Sequence, residues 1–330
     1  MATYKGIHGT KIQNYTSDPA NPLTGEVWYN ATTNTLKVNA GALVGAWATG
    51  NDMNTARNGL GGCGTQTAAL GFGGYTPGGG PSSYRTETEK YNGTSWTEVN
   101  NMNAGRTAVS GIGIQTAALA VGGYTPAVSP SYSNLTESYN GTNWTAVNTL
   151  NTGRITTGGA GTNTAGLVFG GGTPSAIANT EKWNGTNWTE VNDLSVARSG
   201  LGGVGTQTAA LAIGGATSPY AQTELWNGTN WTAVNTLNNG RRLYQGRAGT
   251  STAALVFGGF GSNSRESVTE SWNGTNWTEV ADLNTAIRQA AGAGTNTAAL
   301  SFGGEDAASA EIKTTEEWNF TGGIQTIGDS

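Results

Sequence analysis

The sequence has very little of the residue types on which most catalytic and metal sites depend. It contains one cysteine and one histidine among 330 residues. A single cysteine excludes an intrachain disulfide framework, and a single histidine excludes most hydrolase triads and histidine-based metal sites. The histidine, His8, also lies outside the repeated part of the chain that is described below. We therefore expect no catalytic residues, no cofactor and no metal.

Charged residues are also scarce. Asp, Glu, Lys and Arg make up 11% of the chain and the formal net charge is −5, whereas a typical domain has about 25% charged residues. No run rich in Lys or Arg is present, so the phosphate neutralisation that nucleic-acid binding requires is missing. The sequence also has no signal-peptide pattern and no run of about 18 apolar residues. We expect a protein made in the cytosol, without membrane insertion and without a nucleic-acid partner.

Glycine, by contrast, is abundant, with 53 residues, and much of it belongs to a unit that occurs six times. Each unit contains a short apolar segment that ends in a glycine pair, as in TAALGFGG and TAALVFGG. These segments are too short for helices and are bounded by turn residues, which indicates buried strands. The glycine pairs are Gly73-Gly74, Gly122-Gly123, Gly170-Gly171, Gly214-Gly215, Gly258-Gly259 and Gly303-Gly304.

Two aromatic residues follow the glycine pair, and an Asn-Gly dipeptide between them is a strong hairpin signal that predicts the third and fourth strands of a unit. Trp47 has no aromatic partner before it and Trp318 has none after it, so we predict that the two chain ends meet in one shared unit. The first aromatic residues are Tyr91, Tyr139, Trp183, Trp226, Trp272 and Trp318, and the second are Trp47, Trp96, Trp144, Trp188, Trp231 and Trp277.

An arginine, a Gly-rich segment, an apolar strand with a glycine pair and two spaced aromatic residues together resemble the kelch repeat. The resemblance implies an all-β fold, a six-bladed kelch-like β-propeller over residues 42–320 that N- and C-terminal strands close. Residues 1–41 then form an N-terminal segment with a β-hairpin, and residues 321–330 a C-terminal tail. The copper-radical oxidase activity of some kelch proteins does not carry over, because it needs histidine ligands and a Tyr-Cys crosslink.

A glutamate recurs in all six units and an arginine in five of them, and together they form the main charged constellation. Each glutamate shares a strand face with the aromatic residue two positions on, so a buried carboxylate would need a partner. We predict structural ion pairs that tie strands or blades together; the alternative is a basic ring that grips an anionic ligand. Ile287 at the arginine position of the sixth unit argues against a six-fold ligand site. The residues are Arg57, Arg106, Arg154, Arg198 and Arg241 with Glu89, Glu137, Glu181, Glu224, Glu270 and Glu316.

Unit length varies almost entirely between the glycine pair and the first aromatic residue, where the separation runs from 12 to 18 positions. We therefore predict that one face of the propeller is variable and that the other is repetitive. The variable segments carry aromatic and arginine side chains suited to adaptable recognition of a protein or a sugar, although local packing is the alternative. The candidate binding residues are Tyr75, Tyr84, Arg85, Tyr124, Tyr132, Tyr220, Phe260 and Arg265.

Two other sets of residues have structural interpretations. Cys63 stands where other units have isoleucine, valine or alanine, so we predict a core residue and not a nucleophile. The Asn-x-Thr/Ser sequons of the hairpins are interpreted as turn residues and not as glycan sites, since no secretory signal is present. They begin at Asn92, Asn140, Asn184, Asn227 and Asn273.

Residues 1–41 do not follow the repeat. In LTGEVWYNATTNTLKVN, the alternation of Val27 with Tyr29 and of Leu36 with Val38 predicts a hairpin. This hairpin resembles one found in phage tail fibre and other virion proteins, and the near-identical repeats resemble those of marine phage kelch proteins. The resemblance implies a non-enzymatic virion structural protein, a tail fibre or appendage that displays the propeller for attachment to a host-surface glycan or protein.

In this interpretation residues 1–41 dock the chain onto other virion proteins, and assembly into a homo-oligomer stays open. The sequence leaves two alternative functions. One is a capsid or tail decoration protein. The other is a cytosolic kelch-type adaptor for protein interactions, for which a segment of 41 residues is short as an accessory partner-binding domain.

Overall fold

The computed structural model describes residues 12–19, 26–39, 44–126, 131–216, 220–321 and 324–327. The chain divides into two compact units, one of residues 1–46 with 320–330 and one of residues 47–319. The regular structure of the described residues is a set of β-strands and one 3-10 turn, Gly80–Ser83. No described helix is long and apolar enough to cross a membrane.

In chain order the strands are β1 (Gln13–Tyr15), β2 (Val27–Asn30), β3 (Thr35–Asn39), β4 (Val44–Gly50), β5 (Gly61–Thr65), β6 (Ala68–Phe72), β7 (Thr88–Tyr91), β8 (Trp96–Val99), β9 (Ser110–Ile114), β10 (Ala117–Val121), β11 (Thr136–Tyr139), β12 (Trp144–Val147), β13 (Gly158–Gly161), β14 (Gly166–Phe169), β15 (Thr180–Trp183), β16 (Trp188–Val191), β17 (Gly202–Gly205), β18 (Ala210–Ile213), β19 (Thr223–Trp226), β20 (Trp231–Val234), β21 (Arg247–Gly249), β22 (Ala254–Phe257), β23 (Thr269–Trp272), β24 (Trp277–Val280), β25 (Ile287–Arg288), β26 (Ala291–Gly294), β27 (Ala298–Phe302), β28 (Glu305–Asp306), β29 (Thr315–Thr321) and β30 (Ile324–Ile327).

The first unit contains a four-stranded sheet in the order β1-β2-β3-β30. Strands β2 and β3 form the hairpin that the alternation predicts, with Val27 opposite Val38. Trp28 is buried, and its indole N–H donates to the Asp18 carboxylate at 3.0 Å. Strand β30 belongs to the segment that we expected to be a tail; it pairs antiparallel with β3. The pairing covers an edge of β3 that would otherwise be open, which explains why so short a segment becomes a strand.

The described part of the second unit contains six four-stranded sheets and one two-stranded sheet, β25-β28; in five of the six larger sheets the strands follow one another in sequential order from the inside outwards. Strands β5 to β24 form the first five sheets, four strands at a time. Strand pairing stays within each sheet, and the innermost strands β5, β9, β13, β17, β21 and β26 contact one another in a ring. This arrangement is a six-bladed β-propeller, and the predicted fold is confirmed.

The sixth blade draws on both ends of the chain, as predicted. Its strand order is β26-β27-β29-β4, so the N-terminal strand β4 is the outermost strand beside β29. The ring centroids of Trp47 and Trp318 lie 5.5 Å apart. The equivalent aromatic pairs of the other blades lie 4.9 to 5.3 Å apart.

Neighbouring blades are linked by side-chain hydrogen bonds from the second tryptophan. In each blade its indole N–H donates to a threonine hydroxyl of the preceding blade, at 2.9 to 3.2 Å. The bond from Trp96 to Thr315 joins the first blade to the sixth. The tryptophan series predicted from the sequence therefore holds the blades together as well as filling the core.

Glycine recurs on the innermost strands because adjacent blades approach closely there. A Cβ atom on Gly111 would lie 2.5 Å from the carbonyl oxygen of Gly62 in the adjacent blade. A Cβ atom on Gly203 would lie 2.5 Å from the backbone nitrogen of Gly159. Only glycine permits these backbone distances near the axis.

Candidate functional site

The up-and-down order of the strands gives the propeller two different faces. The glycine pairs and the length-variable segments after them lie on one face, together with the connections between blades. We call it the variable face; its described segments are residues 75–87, 124–126, 131–135, 172–179, 216, 220–222, 260–268 and 305–314. The opposite or repeated face carries the turns 65–67, 114–116, 162–164, 206–208, 250–252 and 295–297 and the Asn-Gly turns of the outer hairpins.

The repeated face has the same local structure in blade after blade. The Asn92 side-chain oxygen accepts the backbone N–H groups of Thr94 and Ser95 at 2.9 and 2.8 Å. The sequon asparagines of the next four blades make the same pair of bonds. These asparagines serve as turn residues, as the sequence predicted.

Four tyrosines of the variable face form a continuous row of ring contacts. The ring centroids of Tyr75 and Tyr84 lie 5.4 Å apart, those of Tyr84 and Tyr124 5.6 Å, and those of Tyr124 and Tyr132 6.2 Å. All four side chains are partly exposed. Burial, followed by the two neighbouring tyrosines, raises the pKa of Tyr84. We call this set the tyrosine row; it spans the first and second blades.

A charged cluster occupies the variable face of the fifth and sixth blades. The Arg288 guanidinium donates to both carboxylate oxygens of Glu305, at 2.9 to 3.1 Å, and Arg265 pairs with the same carboxylate. Arg265 also donates to the Ser309 hydroxyl at 2.6 Å. Arg288 lies 5.2 Å from the centroid of the Phe260 ring, within cation–π range. Phe260 and Arg265, both predicted, therefore meet in one cluster.

A cavity of about 510 Å³ lies between the tyrosine row and the charged cluster. Tyr75 and Tyr124 contribute aromatic rings to its lining, and Glu305 and Glu311 contribute carboxylates. The Glu311 carboxylate also accepts the side-chain amide of Asn58 at 3.0 Å. The remaining lining residues are Pro77, Thr107, Ala108, Ile155, Thr156, Gln289 and Ser309.

The floor of this cavity is held by a set of residues with left-handed backbone. At the same position of each blade φ lies between +51° and +67°, and Ala108, Thr156, Tyr244 and Gln289 adopt it without being glycine. A left-handed conformation at a residue other than glycine costs about 1–3 kcal/mol of conformational free energy, and it persists where the surrounding structure holds it. Five of the six donate their backbone N–H to the equivalent residue of the preceding blade, at 2.7 to 3.1 Å: Gly59 to Gln289, Ala108 to Gly59, Thr156 to Ala108, Gly200 to Thr156 and Tyr244 to Gly200.

The structure does not bring all of the predicted binding residues to the cavity. Arg85 pairs with Glu87 at 3.2 Å and lies outside the lining. Tyr220 is partly buried, and its carbonyl oxygen accepts the Arg241 backbone N–H at 3.1 Å. Conversely, the sequence did not predict three residues that line the cavity: Glu305, Glu311 and Asn58. Their signal in the sequence is weak, because a lone glutamate in a variable loop does not show which side chains face it.

The arginines and glutamates of the repeat lie together inside the blades. Five salt bridges form, Arg57–Glu89 at 3.1 Å, Arg106–Glu137 at 2.9 Å, Arg154–Glu181, Arg198–Glu224 at 2.9 Å and Arg241–Glu270 at 2.6 Å. All five arginine side chains are fully buried. Burial lowers the pKa of Arg57, Arg106, Arg154 and Arg198, which the glutamates partly oppose.

Glu316 of the sixth blade keeps its place without an arginine. One of its carboxylate oxygens accepts the backbone and side-chain N–H groups of Asn284, both at 2.8 Å, and the other accepts the Thr285 N–H at 3.1 Å. The equivalent asparagine assists the glutamate in most other blades. It stands three residues before the arginine position, a recurrence that is visible in the sequence but was not predicted to matter; the members are Asn54, Asn103, Asn151, Asn238 and Asn284.

The described part of the chain offers little for metal or covalent chemistry. Cys63 is buried on strand β5, and burial raises the pKa of its thiol to about 12. No group of three or more His, Cys, Asp and Glu side chains that could hold a metal occurs among the described residues. His8 lies outside the described residues.

No protein-family model and no curated protein matches this sequence. Solved structures do match; one of them, described as the structure of YjhT, superposes with a TM-score of 0.65. It has 12% sequence identity, and the match covers 84% of this chain and 99% of that chain. At this identity the likeness shows the fold alone, so the chain is a β-propeller protein by architecture.

Proposed function

We propose that this chain is a kelch-like propeller of phage virions, a non-enzymatic tail fibre or appendage protein whose variable face attaches to a host-surface carbohydrate. One observation carries the proposal. The variable segments of the first, second and sixth blades line one cavity of about 510 Å³, and two partly exposed tyrosines of the row, Tyr75 and Tyr124, belong to its lining. The opposite face repeats the same turns and offers no comparable variation.

The chemistry of the cavity favours a neutral sugar. Tyr75 and Tyr124 provide aromatic rings on which the apolar face of a sugar can stack. Asn58, Glu305 and Glu311 provide amide and carboxylate groups for sugar hydroxyls. Of the two lining carboxylates, Glu305 is paired with Arg265 and Arg288 and Glu311 accepts only a neutral amide, so the lining has no excess positive charge for an acidic sugar. Its volume also falls within the usual range for small-molecule sites, about 300–1,000 Å³.

The separate first unit supports a docking role for the N-terminal segment. Strands β1, β2, β3 and β30 form a sheet of their own, outside the repeat. The hairpin within it carries the resemblance to virion proteins. A propeller with a binding face and a second compact unit are the two parts that an appendage protein needs, one for a ligand and one for other virion proteins.

Immunogold electron microscopy of purified particles tests this function, with an antibody raised against residues 42–330 of the chain and pre-immune antibody as the control. Gold at the tips of fibres or tails is the expected result. Gold along capsid or tail walls would instead support the alternative function, a capsid or tail decoration protein. Unlabelled particles would contradict a virion function and leave the cytosolic adaptor as the better explanation.

A further inference from the structure

One arginine of the propeller lies where the other blades have glycine. Arg247 is the first residue of the innermost strand of the fifth blade, β21, and aligns with the second residue of the other innermost strands. The equivalent residues of the other blades are Gly62, Gly111, Gly159, Gly203 and Gly292. The fifth unit also has one extra residue before this strand, in the segment RRLYQGRAG. The fifth blade therefore differs from the other five at its innermost strand, next to the propeller axis.

The Arg247 side chain crosses the axis of the propeller. Its Nε donates to the Gly203 carbonyl oxygen of the fourth blade at 2.6 Å, and one terminal nitrogen donates to the Gly111 carbonyl oxygen of the second blade at 3.1 Å. The other terminal nitrogen donates to the Gln245 carbonyl oxygen at 3.3 Å. The second and fifth blades are opposite one another in a ring of six. The guanidinium therefore lies on the axis, and three of its five N–H groups are used.

This guanidinium is a buried positive charge without a counter-ion. Arg247 is 5% exposed, and among the described residues no carboxylate lies within 4.0 Å of it. Burial lowers its pKa to about 10, so it stays protonated at neutral pH. The nearby Cys63 thiol is neutral there, because burial raises its pKa to about 12. Buried charges in proteins are otherwise paired, as the five arginine–glutamate pairs of the same propeller are.

The guanidinium borders a cavity of about 100 Å³ on the axis. The lining glycines at the positions equivalent to Arg247 are buried. Two residues further along each strand, at Gly64 and its equivalents, the glycines are partly exposed, and Thr65, which follows Gly64, is exposed. The cavity therefore opens towards the repeated face. One water molecule needs about 10–15 Å³ of such space, so the cavity admits one small oxyanion or carboxylate.

We propose that the axial cavity is a binding site for one small anion, a carboxylate or an oxyanion no larger than phosphate, and that Arg247 binds it. The glycine walls leave room for the ion, and the two free N–H groups of the guanidinium provide its hydrogen bonds. The site lies on the axis and opens on the repeated face, so it is independent of the sugar site proposed for the variable face.

Isothermal titration calorimetry of the full chain tests the site, with inorganic phosphate and acetate titrated separately in a buffer whose only other anion is a bulky sulfonate. We expect saturable binding of at least one of the two, with one ion per chain. Arg247→Gly, which restores the residue of the other five blades, should weaken binding at least tenfold. Arg242→Gln removes a partly exposed arginine of the same blade as a matched control, and it should leave the affinity within twofold.

Preference for phosphate or for acetate identifies which of the two anion types the site takes. If Arg247→Gly does not fold, Arg247→Gln at the same position replaces it and the same tenfold loss is expected. Equal binding by wild-type protein and the Arg247 variant, or the absence of saturable binding of either anion, would overturn the proposal.

Discussion

Replacing Arg106 by leucine tests how the blades are held together internally. Arg106 is fully buried and pairs with Glu137, whose side chain is 3% exposed, at 2.9 Å. One of its terminal nitrogens donates to the carbonyl oxygens of Gly122 and Leu135 at 2.7 and 2.8 Å. The leucine variant therefore leaves a buried carboxylate without its cation and the Gly122 carbonyl group without its arginine donor, whereas the Leu135 carbonyl oxygen still accepts the Gly122 backbone N–H at 2.9 Å.

Removing one partner of a buried ion pair costs about 3–5 kcal/mol of unfolding free energy. The sixth blade indicates where in this range Arg106→Leu should fall. Glu316 lies buried there without an arginine, held by Asn284 and Thr285. Glu137 retains the equivalent donors, Asn103 and Ala104. We therefore expect a loss at the lower end, about 3 kcal/mol.

Urea denaturation followed by tryptophan fluorescence measures this loss, as a shift in midpoint at an unchanged slope. Arg242→Leu removes a partly exposed arginine as the control and should stay within about 0.5 kcal/mol of wild type. The double variant Arg106→Leu with Glu137→Leu should lose less than Arg106→Leu alone, because no unpaired charge is left. A loss below about 1 kcal/mol for Arg106→Leu would refute the reasoning, since it lies well under the cost of breaking a buried pair.

Three further predictions concern the core. Trp96→Phe removes the indole donor to Thr315 and should cost about 1–2 kcal/mol, measured by denaturation. Burial raises the pKa of the Cys63 thiol from 9.0 to about 12, so a thiol reagent at pH 8 should label Cys63 only after unfolding. The free energy of unfolding should fall as pH rises from about 9 to about 12, because the unfolded chain loses the thiol proton first. Gly122→Ala, at φ +64°, places a Cβ 2.5 Å from a backbone carbonyl oxygen, whereas the Cβ of Gly78→Ala, at φ +94°, meets nothing within 4 Å. Gly122→Ala should therefore melt at a clearly lower temperature than Gly78→Ala, and equal melting temperatures would refute the steric argument.

Much of the fold was predictable because each blade repeats the same local signals. The glycine pairs, the Asn-Gly turns and the two aromatic series mark the strands. The unmatched residues Trp47 and Trp318 predicted the shared sixth blade, where the two rings do pack together. Strand β30 was not predicted, because four residues without a repeat signal acquire their structure from the open edge of β3.

The candidate site was only partly predictable. Loop lengths indicated which face varies, and four of the predicted tyrosines do form a row. Which side chains face one another across the blades depends on the curvature of the ring, and sequence spacing does not contain this information. Glu305 and Glu311 were missed for that reason. Arg247 was missed because its meaning depends on its place at the axis, where it meets Gly111 of the opposite blade.

A glycan array probed with three forms of the full chain tests the central claim, that the variable face binds a host carbohydrate. The forms are wild type, Tyr75→Ala with Tyr124→Ala in the cavity wall, and Thr206→Ala with Thr208→Ala at exposed positions of the repeated face. Equal melting temperatures serve as the folding control. Our account predicts that wild type and the threonine variant bind the same neutral glycans and that the tyrosine variant binds them at least tenfold more weakly. Loss of binding in the threonine variant, or no glycan bound by wild type, would contradict it.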